Sequence, residues 1–437
     1  MKIIKFTYLT FGAALLFASC ANDVVEPETP RNDSRIYFKA SLPESASRAQ
    51  IVSNDNLTEF NVTVFNPADV VDGKLNPFID NISVVKSEDS SVFSSEECQW
   101  PASGKEKNNL TFFAYYPVPD RTENNTTIDG NAPDFDFKIP DFSVSEDISK
   151  QVDFVAAYKS VSMKSEMYTD IRLDFEHKLS RIEVNAKGEN KNCKIEIAGV
   201  LIGGTYSKPT FKFNPHPGAG DWILGDEKKN VKYVYNAGDK IVTISDTASG
   251  VSIMGGTQGN NYAMLVPSDY TAWNYENDNT NSEQGLYLGV LIRMTDIKGK
   301  QQYPYTDTNQ GPDALNIPKV YLAVDAGGTV KSGQLYKGEN GTYFIDPELT
   351  SPYVVPPGSE VREFGWSAIP VTGDWEPGYY YTYTLDYTYG VGLHAPDVEP
   401  SEGPNAGDPI ISDKVGLTVT VKGWQNGSSS NIPVPGS

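Results

Sequence analysis

The sequence predicts an all-β protein built of two antiparallel β-sandwich domains in tandem. Three observations carry the expectation. Short runs alternate apolar and polar residues along the whole body. Turn pairs such as Asn-Pro, Asp-Gly and Pro-Asp punctuate them at near-regular spacing, and no long run keeps a helical period. The 437 residues leave room for about two domains at roughly 100–200 residues each.

In chain order, Lys2 and Lys5 come first, followed by the mostly apolar run Phe6–Ala18. That run is too short to span a bilayer as a helix, which takes about 20 residues. It ends Leu16-Phe17-Ala18-Ser19-Cys20, which resembles a bacterial lipobox, where the cysteine is cleaved at its amino side and acylated. Residues 1–19 are therefore read as a lipoprotein signal peptide and Cys20 as the lipidated residue, with an ordinary signal peptide as the bland alternative. Residues 20–34, acidic and containing prolines, read as a tether. Loss of residues 1–19 removes two lysines and no acid, so the mature chain carries −23.

The first strand is expected over 35–42. Ile36, Phe38, Ala40 and Leu42 share one face, and Tyr37, Lys39 and Ser41 the other. A polar stretch holding Arg48 follows and reads as a loop. Further strands are expected at 60–65, 82–85, 110–116, 135–139, 152–156, 171–175, 182–186, 194–198, 210–213, 262–266, 286–294, 320–324, 379–387 and 417–421. In the last of these Leu417, Val419 and Val421 form the apolar row. Helical pieces are expected near 145–152, capped by Ser145, and near 361–367. Long polar loops are expected over 214–235, 267–285 and 389–412. A charged, glycine-containing break at 188–192 is taken as the domain boundary, giving an N-terminal domain over 35–190 and a C-terminal domain over 191–437.

Composition narrows the function. The net charge of −21 argues against nucleic acid, which is gripped through basic surfaces. Three His and three Cys leave little material for a multi-histidine metal site or a disulfide framework. Cys98 and Cys193 either pair in an oxidising compartment or stay as two buried thiols. His177, His216 and His394 lack the context of a catalytic triad, and Gly199–Gly204 does not continue into a phosphate loop with a lysine. Asp134 and Asp136 alternate like a carboxylate pair, but a chain with 57 acids produces such pairs by chance. Asp278–Glu283 has the oxygen-rich spacing a Ca²⁺ uses without the glycine of an EF-hand loop. Trp366, Trp375 and Tyr379–Tyr383 are candidate sugar-stacking aromatics, although the alternation over 379–387 favours cross-strand packing. The sequence thus points to a non-enzymatic protein with no cofactor.

One ordered set of segments resembles the fimbrillin family, the subunits of type V pili. It comprises Cys20 with its acidic tether, Ile36-Tyr-Phe-Lys-Ala40, Ser47-Arg-Ala49, Leu110-Thr-Phe-Phe-Ala-Tyr-Tyr-Pro117, Asp153-Phe-Val-Ala-Ala157, Leu173-Asp-Phe-Glu-His-Lys-Leu-Ser-Arg-Ile-Glu-Val184, Tyr381-Thr-Tyr-Thr-Leu385 and Leu417–Trp424. The resemblance implies two transthyretin-like sandwiches and export as a lipoprotein to the outer membrane. It also implies cleavage by a trypsin-like, Arg-specific protease, for which Arg48 is the candidate and Arg31 and Arg35 are alternatives. The cut releases the first strand, and a strand from another fimbrial subunit fills the groove. A host protein or glycan receptor is a further expected partner. Pro433 and Pro435 withhold ladder hydrogen bonds, so the tail is a poor donor strand, and a tip or accessory subunit is expected over a shaft subunit. The rival reading is a cell-surface carbohydrate-binding lipoprotein that keeps its first strand.

Overall fold

The structure, a computed structural model, describes residues 33–42, 52–88, 90–101, 109–117, 126–129, 132–135, 137–167, 169–255, 262–306, 317–396, 404–411, 415–423 and 429–432. The described chain is β almost throughout, with one short helix at Met163–Glu166 and a 3-10 turn at Ile148–Lys150.

The N-terminal sheet runs Ile171–Asp174, Arg35–Ser41, Val92–Gln99, Lys74–Lys86, Glu59–Val71, Asn109–Tyr116, Val155–Ser162, Glu176–His177. Its two end strands are consecutive pieces of one segment, joined at Phe175. Ile171–Asp174 pairs in parallel with the first strand, and Glu176–His177 pairs antiparallel with Val155–Ser162. The sheet therefore closes on itself and has no long free edge there. Its interior is aromatic and aliphatic: Ile36, Phe38, Phe60, Phe93, Phe112 and Phe175 are all buried in one cluster.

The rest of the chain builds two sheets around a shared core. One runs Asp246–Ser252, Ser180–Glu189, Tyr379–Asp386, Gly416–Gly423, Ser429–Ile432. The other runs Lys228–Val234, Cys193–Tyr206, Tyr287–Asp296, Ser359–Pro370, Val320–Asp325. Ile182, Val184, Tyr383 and Leu385 of the first meet Ile195, Ile197, Val290 and Ile292 of the second. The second sheet also buries its other face, where Leu201, Leu291, Leu322, Phe364 and Trp366 form a separate cluster.

Cys193–Tyr206 serves both faces by changing phase. Ile195 and Ile197 face the shared core, and the pairing slips between Ile197 and Gly199, so that Val200 and Ile202 face it next. A second slip lies between Ile202 and Thr205, where Gly204 has φ +77° and lies against the Gly285 and Gln284 carbonyls.

The same core continues to the N-terminal sheet. Phe65, Phe113, Tyr115 and Phe137 belong to it, and Phe137 stacks on Phe213 at 4.2 Å. Lys138–Ile139 pairs with Thr210–Phe213, so a segment from before residue 150 completes a small sheet of the second half.

Several expectations change. Ser180–Glu189, which leads into the break at 188–192, pairs in parallel with Tyr379–Asp386 and not with the N-terminal sheet. A charged break marks a chain reversal, and it does not report which distant strand the preceding residues join. The stretch 361–367 is strand. Up to Phe364 it pairs with Val320–Asp325 and from Gly365 with Tyr287–Asp296, and that pairing outweighs the helix preference of Glu360, Arg362 and Glu363. The 3-10 turn is capped by Asp147, which accepts from Ser149 N–H at 3.0 Å, and not by Ser145. The expected loop at 214–235 contains strands at Gly220–Ile223 and Lys228–Val234. Cys98 and Cys193 are both free and buried.

Candidate functional site

The first strand is the element on which the functional expectation turns. Asp33 organises its start, accepting from the Tyr37 hydroxyl at 2.6 Å and from the Arg35 guanidinium at 3.0 Å. The Tyr37 hydrogen bond and then Arg35 hold the Asp33 carboxyl below its ordinary value. Trp100 N–H then donates to Ser34 C=O at 2.7 Å. From there the strand is bonded on both sides. Phe38 pairs with Ile171 in the parallel ladder and with Phe93 in the antiparallel one, and Ala40 faces Leu173.

Alternation directs the side chains as the sequence predicts. Ile36 and Phe38 have no exposed surface, Leu42 is buried, and Ala40 packs part-buried on the same cluster. The Phe38 ring meets Phe60 and Phe112 edge-on, each at 6.0 Å. Burying Ile36, Phe38 and Leu42 contributes roughly 5–9 kcal/mol in all, at about 1.5–3 kcal/mol per large side chain. On the outer face, Lys39 reaches Asp170 at 3.4 Å. Cys98, on the neighbouring Val92–Gln99 strand, points into the same interior, where burial pushes its thiol up to about 12.

Two residues the sequence did not single out hold the chain just past the strand. Asn54 bonds the main chain of Leu42, and the Asp153 carboxylate accepts from Val52 N–H at 3.1 Å. Asp153 also lies 2.7 Å from His177 Nδ1, with both side chains shut off from solvent. No substrate reaches that pair, so it ties the Val155–Ser162 end of the sheet to the segment after the first strand. Nothing in the local sequence distinguishes Asn54 from any other turn asparagine. Cys20 and Arg48 lie outside the described residues, as does Asp136.

At the other end of the chain, Gly416–Gly423 pairs over its full length with Tyr379–Asp386. Val419 is buried, and Leu417 and Val421 pack part-buried against the shared core. Ser429–Ile432 folds back on Gly416–Gly423 as the edge strand of that sheet.

The remaining candidates fall into structural roles. Trp375 is 2% exposed and donates to the Tyr383 hydroxyl at 2.8 Å, so it offers no ring face to a sugar. Trp366 is buried as well. Asp278 turns its carboxylate inward on its own loop, accepting from Glu283 N–H at 2.9 Å and from the Ser282 and Thr280 hydroxyls. The Glu283 amide foremost draws the carboxyl down to about 2. His216 is exposed beside Asp221. His394 lines a small recess with Tyr303, Ile317, Pro318 and Trp366, and burial lowers its imidazole to about 4. Among the described residues no group of three or more His, Cys, Asp or Glu is placed to hold a metal ion.

The first strand thus lies within a sheet whose two end strands belong to one segment, bonded on both sides. The particular family follows from the sequence: the fimbrillin-like family profile matches residues 47–310, more than half of the chain, and the chain belongs to that family. Solved structures similar to this chain include a proposed cell adhesion protein from Bacteroides uniformis. It is 14% identical, with 90% of this chain and 100% of that chain covered and a TM-score of 0.38. A proposed cell adhesion protein from Parabacteroides distasonis is 9% identical, with coverage of 90% and 96% and a TM-score of 0.42. A fimbrial assembly protein from the same species is 10% identical, with coverage of 92% and 100% and a TM-score of 0.33. The family assignment rests on the profile rather than on these superpositions. No curated protein matches the sequence.

Proposed function

We propose that this protein is a non-enzymatic fimbrial subunit or fimbrillin-like adhesin of the outer cell surface, assembled by protease-triggered strand exchange. It is exported as a lipoprotein, acylated at Cys20 and cut after Arg48 by an Arg-specific protease. The cut frees Ile36, Phe38, Ala40 and Leu42, and a strand from another fimbrial subunit takes their place. Its two tandem sandwiches have transthyretin-like topology. The observation that carries this reading is the first strand itself. It is an apolar row inserted between two strands of a closed sheet, bonded on both sides, and joined to the body through the segment that holds Arg48. Its removal leaves two facing rows of main-chain donors and acceptors above an apolar trough, which is the template for strand addition. The C-terminal strand with Leu417, Val419 and Val421 is engaged in its own sheet and followed by a home hairpin and two prolines. That favours a tip or accessory subunit, which accepts a strand without donating one, and which engages a host protein or glycan.

The test is the intact mass and N-terminal sequence of the protein from native surface fractions, with its assembly state. The expected result is a mature chain beginning at Ala49 within large assemblies. A chain beginning at acylated Cys20, resistant to trypsin at Arg48 and recovered only as monomer, refutes strand exchange.

A further inference from the structure

Leu42 lies past both ladders of the first strand. The parallel ladder ends at Ser41 opposite Asp174, with Phe175 N–H on Ser41 C=O at 2.8 Å, and the antiparallel one reaches only Lys39 opposite Val92. The main chain of Leu42 is held by a side chain instead. Its N–H donates to Asn54 Oδ1 at 2.8 Å, and its C=O accepts from Asn54 Nδ2 at 3.0 Å. A side-chain amide carries a C=O and an N–H spaced like those of a peptide unit, so Asn54 extends the ladder by one residue at the rim of the groove. Its own backbone is fixed. Ser53 N–H donates to Asn56 Oδ1 at 2.7 Å, Leu57 N–H to Ser53 C=O at 3.0 Å, and the flanking Val52 and Leu57 are buried.

We propose that Asn54 is a main-chain clamp for the strand that another fimbrial subunit sets in this groove, gripping the extended peptide at the Leu42 position. The proposal rests on the strand-exchange reading above. In sequence, Arg48 stands between Leu42 and Asn54. A cut there parts the strand from the body and leaves Asn54 with the body, its amide at the groove rim. The clamp reads main chain, so it tolerates any side chain but requires an N–H. Proline at that position is rejected. The tail Ile432-Pro-Val-Pro435 is thereby barred from every register that sets Pro433 or Pro435 at the clamp.

The experiment uses the full chain cut at Arg48 by limited trypsin and then quenched. A fluorescent peptide of residues 33–44 is loaded into the groove, and its dissociation is followed under competition. Loss of two rim hydrogen bonds in Asn54→Ala speeds dissociation about tenfold. A peptide N-methylated at Leu42 loses one of the two bonds and leaves wild-type protein about three- to fivefold faster, and this N-methyl penalty shrinks in Asn54→Ala, which has no amide oxygen to lose. The peptide modification leaves the protein untouched, so it reads the clamp even if the variant folds poorly. Equal N-methyl penalties in both proteins, or none in wild type, overturn the clamp while strand exchange stands. Cut wild-type protein that takes up no peptide overturns strand exchange itself, and a clamp for incoming strands with it.

Discussion

Glu196→Gln tests the most concentrated electrostatic feature of the fold. Glu196 sits mid-strand in Cys193–Tyr206, 2% exposed. Its carboxylate accepts from Arg293 at 2.7 Å, Lys194 at 2.9 Å and Arg362 at 3.0 Å. Burial by itself pushes the carboxyl up, but the three cations together prevail and hold it below its ordinary value. Breaking a buried ion pair costs about 3–5 kcal/mol. Here the cations are partly wet, with side-chain exposures of 22%, 48% and 13% in the order given, so about 2–3 kcal/mol is expected. That corresponds to a fall in melting temperature of roughly 2–6 °C at neutral pH. The pH dependence has a definite sign. A carboxyl with a depressed folded pKa contributes fully above its unfolded value of about 4.3, and the contribution fades as pH falls through the lower folded value. The gap between wild type and variant should therefore be full at pH 6–7 and narrow as pH falls below about 4.3. Thermal unfolding followed by circular dichroism across that range measures it. Equal melting temperatures at pH 7, or a gap that persists undiminished at pH 2, refute the reasoning.

Four further outcomes follow from the same geometry. Phe38→Ala removes a fully buried ring at a cost of about 3–5 kcal/mol, felt by the first strand alone once it is cut free, so strand loss after cleavage should accelerate sharply. Cys98 reports that loss: its thiol should resist alkylation in the intact protein and label rapidly after cleavage and strand release, and rapid labelling of intact protein would contradict its burial. Gly204→Ala forces a side chain onto φ +77° with its Cβ 2.5 Å from the Gly285 carbonyl oxygen, so destabilisation above about 1 kcal/mol is expected in a denaturant titration. Trp375→Phe loses the buried bond to Tyr383 and should cost about 1–3 kcal/mol of stability while leaving glycan-array binding unchanged; a selective loss of glycan binding would revive the carbohydrate reading.

The apolar rows were legible because alternation is a local signal. Ile36 and Phe38, Ile171 and Leu173, and Tyr381 and Tyr383 each face inward as their period-two pattern predicts. Thr210–Phe213 has the bounds expected of it. The strand at Val92–Gln99 was missed because its Ser-Ser-Glu-Glu centre reads as loop. It is a strand because Tyr37, Phe38 and Lys39 on one side and Val85 and Lys86 on the other supply its partners.

What the sequence determined by itself was the all-β class, the inward face of the clearly alternating strands and the family. Each is written in neighbouring residues, or in short motifs read in order. The tertiary structure alone decided which strands become neighbours. Ile171–His177 closes the first sheet only because its two ends meet different strands. Ser180–Glu189 leaves for a partner some two hundred residues away. Glu196 shows the limit most plainly. Its alternation assigns it to the polar face of a strand, and it does lie opposite the Ile195 side. Yet Arg293 and Arg362, distant in sequence, fold over that face and bury it. Asn54 is the same case at the groove, where a turn amide completes a ladder begun before Arg48. Hydrogen bonds and ion pairs between remote segments depend on how the sheets are assembled, and local periodicity carries no record of that.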